Sequence, residues 1–547
     1  MKPFYKRAYV WAPLIIALAL TSGFIGAKFF GNGSNDERLS KLSSVIEIID
    51  DNYVDVVNID SLLEKSLPDL LAKLDPHSEY IPATDLQTVN EELDGSFSGV
   101  GISFNMLTDT ISVVEVIPGG PSERAGLLAG DRIITINDST IDASQWSMEQ
   151  VRKSLKGPKG TKVKLGIKRS TSPQLLTFEV IRGDVPMNSV DAEYMLTPET
   201  GYLKINKFGR NTYSEFLTAL VKLKGLGAKD YVIDLRGNGG GYMNVAILMA
   251  NEFLPAGSPI VSTRGRIIDN ESGIVADGTG SFSEAQLVVL IDEFSASSSE
   301  IFAGAIQDND RGLLIGRRSF GKGLVQNQIA LPDSSAVRLT IARYYTPSGR
   351  CIQKTYTPGN RKSYGNEIVD RFYNGEVYNA DSVHLDKTHA YYTLTGRTVY
   401  GGGGIMPDVY VPNDTSGISS YYINVVNAGL LQKFAFTYAD ANRSSLQRAT
   451  TTDEVIKMLP SDDTLLQEFA YYTRVTGGIS PRWYYINISR DLIVNQLKAL
   501  IARDALGMSS YYEVINRSDR SLNRAIKELS EGNAQFPIIP RDTVNTH

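Results

Sequence analysis

Residues 287–300 read LVVLIDEFSASSSE, and the run IFAGAI follows at residues 301–306. The first five residues are apolar and rich in β-branched side chains, which predicts a short buried strand. The apolar spacing after the serines is helical, so the serines should lie where this strand turns into a helix. The first N–H groups of such a helix have no partner within it and carry a partial positive charge. A serine hydroxyl at this corner should therefore be exposed beside donors that suit a developing oxyanion.

A serine hydroxyl needs a base to become a good nucleophile. Lys322 is the best candidate, because glycines on both sides let the backbone pack closely and bury the amine. Burial lowers the pKa of a lysine, and only the neutral amine accepts a proton. The alternative is a serine-capped helix with a surface lysine, and the spacing alone favours that alternative. None of the four histidines lies near the serines in sequence, although folding could bring one in: His77, His384, His389 and His547.

The stretch 295–326 resembles the carboxy-terminal processing peptidases, also called tail-specific proteases. Their pattern is Ser-Ala-Ser-Glu, then Phe-Gly-Lys-Gly, then Gln four residues after the Lys; this chain has SSSE at 297–300, FGKG at 320–323 and Gln at 326. The serine and the lysine are 25 residues apart (322 − 297), as in the family. The resemblance implies these roles: nucleophile Ser297, general base Lys322, and orientation of the lysine by Gln326, with Glu300 as a further candidate support.

The chain departs from the family at Ser298, where the family usually has Ala. Three consecutive serines leave the assignment of the nucleophile resting on its separation from Glu300 and Lys322.

A glycine run, DLRGNGGG at 234–241, is a further part of the resemblance. In isolation it could be a plain loop. The resemblance implies that Gly240 supplies one oxyanion N–H and that Ser298 supplies the other. One such donor is worth about 3 kcal/mol in the transition state.

Residues 95–184 read as a small β-rich module, with a glycine-bearing loop followed by short alternating strands. The run PGGPSERAGL at 118–127, followed by Gly-Asp at 130–131, resembles a PDZ domain. PDZ domains take a peptide as an added strand and hold its terminal carboxylate with loop N–H groups. The resemblance implies that this loop is Gly99, Val100, Gly101 and Ile102. The alternative is a PDZ-like fold used as a spacer or lid.

The first 30 residues carry Lys2, Lys6 and Arg7 and then run nearly apolar from Ala8 to Ala27. About 20 apolar residues are enough to span a membrane, and the positive flank should stay in the cytoplasm. We therefore expect an uncleaved membrane anchor, with the rest of the chain in the cell envelope on the periplasmic side of the inner membrane. A cleaved signal peptide is the alternative.

Length and composition limit the number of domains and the classes of function. At 547 residues the chain should hold about three or four domains. The net charge, 55 − 61 = −6, predicts no nucleic-acid partner. The single cysteine rules out an intrachain disulfide, and no metal-ligand cluster or phosphate loop occurs, so neither a metal nor another cofactor is expected. Self-association into a homo-oligomer is left open.

These features predict a multidomain chain, partly α/β and partly β-rich. Its predicted parts are an anchor or signal segment at 1–30, an N-terminal helical region at 36–92, a PDZ domain at 95–184, an α/β serine peptidase core at 185–412 and a C-terminal helical domain of unknown role at 413–547. We interpret DPHS at 75–78, with His77, as a structural turn. We assign no chemistry to RYYTPSGR at 343–350, and we expect 357–395 to be a loop-like insertion.

The leading hypothesis is an exported, membrane-tethered serine endopeptidase with a Ser-Lys dyad. It would bind protein or peptide substrates by their free C-termini at the PDZ domain and cut them nearby. A catalytically inactive peptide-binding scaffold of the envelope is the alternative, and a small-molecule carrier is a third hypothesis, since a retinoid-binding protein shares the core fold. The PDZ module argues against the carrier. Four residues at family spacing argue against the scaffold: Ser297, Lys322, Gln326 and Gly240.

Overall fold

A computed structural model of the chain describes residues 37–106, 110–142, 145–169, 172–267, 269–383 and 387–534. The expected anchor or signal segment, 1–30, lies outside these residues. Within the described ranges, none of the helices combines the length and apolarity that crossing a bilayer requires. The chain divides into two compact units, which are described separately. The first comprises the described residues up to Gln87 with Gln326–Ile341 and Tyr356–Gly365, and the second comprises the described residues of Thr88–Val325, Ala342–Thr355 and those from Asn366 on.

The first unit contains helices and a short antiparallel strand pair. Asn58 caps one helix by accepting the N–H of Ser61 at 2.9 Å. In the turn at 75–78, the Asp75 carboxylate accepts the N–H groups of His77 (2.8 Å) and Ser78 (2.9 Å), which is the structural turn expected there. The elements are helices Glu37–Asn52 and Ile59–Ala72, the start of helix Ala83–Asp94, and strand Glu79–Ile81, which pairs with the first residues of strand Ala336–Tyr345.

The predicted PDZ region, in the second unit, is an antiparallel sheet with two helices. The helix Met148–Leu155 begins at a capping box formed by Ser147 and Gln150. The strand order is Ile102–Asn105, Ile111–Val116, Arg132–Ile136, Lys162–Lys168 and Leu176–Ile181, with Ser139–Thr140 beside Arg132–Ile136. The remaining elements are the helix Pro121–Ala125 and a ribbon of Ser96–Gly99 with Gly183–Pro186.

The predicted peptidase core is built on a six-stranded sheet. Its strand order is Val190–Met195, Thr200–Ile205, Asp230–Asp234, Leu287–Ile291, Leu313–Gly316 and Val409–Tyr410, parallel except for the first pair. Every residue of Leu287–Ile291 is buried, as its apolar sequence predicts. One face of the sheet is covered by helices Thr212–Gly225, Met243–Asn251 and Ser298–Asp308.

The second unit also contains a smaller antiparallel pairing. Strand Pro259–Arg264 lies between Asp269–Val275 and the end of Ala336–Tyr345, where Thr263 is opposite Tyr344. The loop at 317–323 carries Lys322 and is called the lysine loop; it leads into strand Leu324–Ala330, whose residues from Gln326 on belong to the first unit. The short strands Ala390–Tyr392 and Thr398–Tyr400 form a ribbon.

The expectation that 357–395 is loop-like is wrong for its first part, because Arg361–Tyr373 is a helix. Most of this helix is exposed, but Arg371 on one face is buried. Glu367 and Arg371, one turn apart, lie 2.7 Å from each other, and Lys354 lies 2.8 Å from Glu367. A mostly polar and exposed helix is therefore attached to the molecule partly by these ion pairs.

The C-terminal region is helical, as expected, and one of its helices packs on the peptidase sheet. Its last helix, Arg520–Ser530, covers the other face of the peptidase sheet with Leu522, Ala525 and Leu529, which cluster with strand residues such as Val288. The other helices form a core of their own: Ser420–Asn427, Leu430–Ala441, Arg443–Leu446, Thr452–Met458, Asp462–Gly477, Trp483–Ile488, Arg490–Leu506 and Met508–Ile515.

Candidate active site

Ser297 occupies the corner between strand Leu287–Ile291 and helix Ser298–Asp308, where the sequence predicts it. Its backbone has φ 56° and ψ −114°, a conformation that a residue with a Cβ seldom adopts. Such strain costs about 1–3 kcal/mol and persists only where the surroundings enforce it. Several backbone hydrogen bonds do so here. The N–H of Ser297 donates to the Glu300 carboxylate at 2.8 Å, and its carbonyl accepts the N–H of Ile301 at 3.0 Å.

The neighbouring serines hold the corner together. Ser295, Ser298 and Ser299 are buried, with at most 1% of each exposed, whereas Ser297 is half-buried. The hydroxyl of Ser298, the departure from the family pattern, therefore has a structural use. The three hydroxyls donate to main-chain carbonyls at the end of a strand and in the glycine loop: Ser295 to Leu235 (2.8 Å), Ser298 to Gly241 (2.8 Å) and Ser299 to Asn238 (2.9 Å).

Glu300 connects the two predicted catalytic residues through their backbones. Its Oε2 accepts the N–H groups of Ser297 (2.8 Å) and Lys322 (2.9 Å). Its Oε1 accepts the N–H of Gly321 (2.7 Å) and the hydroxyl of Ser319 (2.6 Å). Burial raises the pKa of Glu300 to about 7, and the four hydrogen bonds only partly offset that effect. These bonds fix the lysine loop relative to the serine.

Tyr344 joins the same two residues at their carbonyls. Its hydroxyl lies 2.6 Å from the carbonyl of Lys322 and 3.2 Å from that of Ser297, and the residue is 1% exposed. Sequence reasoning misses this residue, because it assigns no chemistry to RYYTPSGR at 343–350. The available signal was a tyrosine in a strand-like run, since a buried tyrosine needs a partner for its hydroxyl.

Helix Arg361–Tyr373 donates hydrogen bonds to main-chain carbonyls of the lysine loop. The guanidinium of Arg371 donates to the carbonyls of Ser319 (2.7 Å) and Phe320 (3.1 Å). The amine of Lys354 lies 4.0 Å from the centre of the Phe320 ring. A signal for this helix is present in the sequence, since Glu367 and Arg371 lie four residues apart, a spacing that suits a helix.

The glycine loop lies against the serine corner. A Cβ added to Gly240 would be 2.8 Å from the Ser297 Cβ and 3.0 Å from the Ser298 nitrogen, so this close approach requires glycine. The N–H of Gly240 donates to the Asn238 side-chain oxygen at 2.9 Å. The predicted oxyanion donor is thus engaged within the protein, and it would have to exchange that partner for a substrate oxygen.

Gln326 belongs to the first unit, with His77. Its side-chain amide donates to the carbonyl of His77 at 2.6 Å, and the His77 ring lies 2.9 Å from the hydroxyl of Tyr364. The predicted orientation of the lysine by Gln326 stays a prediction. His389 is exposed, and two other histidines, His384 and His547, lie outside the described residues. Among the described residues, no group of three or more His, Cys, Asp or Glu could hold a metal ion.

The predicted carboxylate loop turns its carbonyls inward. Val100 accepts the N–H of Ser122 at 2.8 Å, and Gly101 accepts that of Ile117 at 3.1 Å. The C=O and N–H of one trans peptide unit point in opposite directions, so the N–H groups of Gly101 and Ile102 point away from these partners. Ile102 begins a strand at the edge of the sheet, where a further strand could add. The φ of Gly101, 79°, favours glycine.

Comparison with known families matches three parts of the chain. Residues 199–363 match Peptidase family S41, residues 112–169 match the PDZ domain, and residues 421–507 match a family of unknown function, DUF8443. The carboxy-terminal-processing protease of Bartonella bacilliformis is 36% identical over 321 residues, which cover 58% of this chain and 73% of that protein. The chain belongs to the carboxy-terminal-processing proteases.

Two further similarities cover comparable parts of the chain. The carboxyl-terminal-processing protease of Picosynechococcus is 34% identical over 297 residues, 53% of this chain and 70% of that one. A solved photosystem II D1 C-terminal processing protease shares 26% identity, with a TM-score of 0.34, over 69% of this chain and 94% of that chain. As a member of this family, the chain is a serine-type peptidase, and the predicted combination of a PDZ domain with a mixed helix-and-sheet peptidase core is confirmed.

Proposed function

We propose that this carboxy-terminal-processing protease cleaves peptide bonds with a dyad of Ser297 and Lys322. The observation that carries the proposal is the position of Ser297. Ser297 is the half-buried serine of the run, and its backbone is strained at the strand-to-helix corner. The Glu300 carboxylate accepts hydrogen bonds from the N–H groups of both Ser297 and Lys322. The neighbouring serines are buried and donate to main-chain carbonyls.

The reaction follows from these groups. The neutral amine of Lys322 takes the proton of the Ser297 hydroxyl as the oxygen attacks the scissile carbonyl. The N–H of Ser298 and an N–H of the glycine loop stabilise the oxyanion. The lysine then protonates the leaving amine, and water hydrolyses the acyl-enzyme with the lysine again acting as the base.

Substrate selection belongs to the PDZ domain in this proposal. The outward N–H groups of Gly101 and Ile102 bind the terminal carboxylate, and the edge strand Ile102–Asn105 pairs with the substrate backbone. Binding and cutting therefore use different parts of the second unit.

We propose an envelope location on the basis of the sequence alone, since Lys2, Lys6 and Arg7 precede an apolar run. Membrane fractions of the source cell, washed with alkaline carbonate, should retain the full chain. Recovery of the full-length chain in the cytosolic fraction would refute this location.

A serine-reactive fluorophosphonate probe tests the chemistry. The unmodified chain should react at a single serine, and Ser297→Ala should abolish both labelling and casein digestion. Labelling that survives in Ser297→Ala would refute the assignment of the nucleophile. A chain that binds peptide but neither labels nor digests casein would be a scaffold.

A pair of peptides tests tail recognition. A peptide with an apolar free C-terminus should be cut faster than the same peptide amidated there, because amidation removes the charge and leaves the rest unchanged. Gly101→Trp should erase the preference by blocking the loop. Gly160→Trp is the matched control, because that glycine also has a positive φ, 85°, but its Cβ would meet open space. Equal cleavage of the two peptides by the unmodified chain would refute tail recognition.

A further inference from the structure

Asp519, in the C-terminal region, makes two separate contacts with its two carboxylate oxygens. Oδ1 accepts the N–H of Leu522 at 2.8 Å and so caps the helix Arg520–Ser530. Oδ2 accepts a hydrogen bond from Arg236 at 2.6 Å. Arg236 belongs to the run at 234–241 that leads into the glycine loop. The two side chains are 19% and 20% exposed, so this ion pair is largely removed from solvent.

The other partners of Arg236 hold it rigidly. Its Nε and Nη2 donate to the carboxylate of Asp234, the latter at 2.6 Å. The hydroxyl of Tyr202 donates to Asp234 at 2.8 Å, and the amine of Lys204 donates to the carbonyl of Arg236. Burial opposes the charge of Asp234, but Arg236 and Lys204 outweigh it and hold the pKa of that carboxyl well below its usual range. Arg236 is thus fixed by both its side chain and its backbone.

The loop continues from Arg236 directly to the serine corner. The N–H of Gly237 donates to Asp292 at 2.9 Å. One residue later, the carbonyl of Asn238 accepts the N–H of Ala296 at 3.0 Å and the hydroxyl of Ser299 at 2.9 Å. A displacement of Arg236 would therefore reach the loop that lies against Ser297.

The helix that begins at Asp519 is itself docked on the peptidase sheet. Leu522, Ala525 and Leu529 are nearly fully buried in a cluster with strand residues, and one turn earlier Asn516 donates to the hydroxyl of Tyr194 at 2.8 Å. The carboxylate of Asp519 is therefore presented to Arg236 from a fixed position.

We propose that Asp519 is a positioning residue for the glycine loop at 237–241, and that the segment Met508–Ser530 is an internal brace of the catalytic centre. This inference rests on the proposed function, in which the loop supplies an oxyanion donor. Without the carboxylate, a largely buried guanidinium loses one of its two charge partners and shifts towards water. A shift of a fraction of an ångström in an oxyanion donor lowers the rate of the chemical step and leaves substrate binding unchanged.

Two substitutions in the full chain distinguish the contact of Asp519 with Arg236 (bracing) from its contact with the N–H of Leu522 (capping). Asp519→Ser keeps a good N-cap but is too short to reach Arg236, whereas Asp519→Ala loses both contacts. Bracing predicts that both variants lower kcat by about tenfold, with KM and the Kd of a free-C-terminal peptide unchanged. The Ala variant should also have the lower Tm. Arg520→Gln is the matched control, because it removes the neighbouring, more exposed ion pair with Asp414 and should leave kcat unchanged.

The outcomes are distinguishable. Equal reductions of kcat in the Ser and Ala variants, despite different Tm values, would support the brace. Unchanged kcat in both, or a reduction only in the Ala variant that follows its Tm, would overturn it and leave Asp519 as a helix cap. An unmodified chain that neither reacts with the fluorophosphonate nor digests casein would overturn the proposed function and this inference with it.

Discussion

The hydroxyl of Tyr344 lies 2.6 Å from the main-chain carbonyl of Lys322, and the same oxygen lies 3.2 Å from the carbonyl of Ser297. The Glu300 carboxylate binds the N–H groups of the same two residues. Two buried side chains thus bridge the two predicted catalytic residues: Glu300 bridges their N–H groups, and Tyr344 bridges their carbonyls. Because this geometry is set by the backbone, the loop carrying the lysine cannot shift without breaking bonds on the serine side.

Tyr344→Phe removes the hydroxyl and keeps the ring, so we expect the fold to persist and kcat to fall by about tenfold, the value of one hydrogen bond of roughly 1.4 kcal/mol. KM should stay within about twofold, because no substrate contact is lost. Steady-state kinetics on a peptide substrate measure both quantities. Tyr345→Phe is the matched control, since it makes the same chemical change at the next residue. An equal loss in the two variants would contradict the positioning role.

The serine corner could be predicted from sequence because its determinants are local. A buried apolar strand, a serine run and a helical spacing occur within twenty residues, from Leu287 to Ile306, and the structure has that order. The edge strand that begins at Ile102 follows from local glycines and alternation in the same way.

Glu300 is a predicted support, but Tyr344 and Asp519 could not be predicted, because they contact residues that are distant in sequence. Tyr344 reaches back 47 residues to Ser297, and Asp519 reaches 283 residues to Arg236. No periodicity or spacing encodes such a pairing. The helix Arg361–Tyr373 is polar and mostly exposed, and the partners of its buried Arg371, Ser319 and Phe320, lie 52 and 51 residues away in sequence.

The serine series separates the nucleophile from its neighbours. Ser297→Ala should abolish proteolysis. Ser295→Ala, Ser298→Ala and Ser299→Ala should each retain much of it, because each removes a hydroxyl donated to a carbonyl and keeps the backbone N–H. Each of these three should lower the free energy of unfolding by about 1–2 kcal/mol, since a buried carbonyl loses a partner. Activity assays with thermal denaturation measure both effects. A dead Ser299→Ala beside an active Ser297→Ala would show that the assigned register is wrong.

Lys322→Arg should be as inactive as Lys322→Ala. Arginine stays protonated at any accessible pH and cannot accept the serine proton. Both substitutions keep the N–H and the carbonyl of this residue, which Glu300 and Tyr344 hold. Casein digestion and fluorophosphonate labelling are the measurements, with Lys362→Arg, elsewhere in the chain, as the control. Substantial digestion by Lys322→Arg would rule out the general-base role.

Glu300→Gln should lower both activity and stability. A carboxylate offers about four lone-pair positions, and four donors occupy them here. Glutamine replaces one oxygen with an NH₂ group, so two of those donors lose their acceptor. We expect kcat to fall at least about tenfold and the free energy of unfolding to fall by about 2 kcal/mol or more. A variant with the unmodified kcat would show that these bonds do not position the dyad.

The same residue predicts how stability depends on pH. Burial raises the pKa of Glu300 in the folded chain to about 7, above its ordinary value of 4.5. A raised folded pKa means that the folded state binds the proton more tightly than the unfolded state, so this contribution to stability is fully present below about pH 4.5 and is lost as pH rises through about 7.

Comparison with Glu300→Gln measures this effect, because glutamine does not titrate. The Tm of the unmodified chain minus that of Glu300→Gln should therefore decrease as pH rises from 4.5 to 7, by an amount that corresponds to about 3 kcal/mol, and level off above that range. Catalysis should change in the opposite direction, because protonation displaces one of the four donors that hold Ser297 and Lys322. A Tm difference that stays constant across this range would show that Glu300 remains ionised throughout.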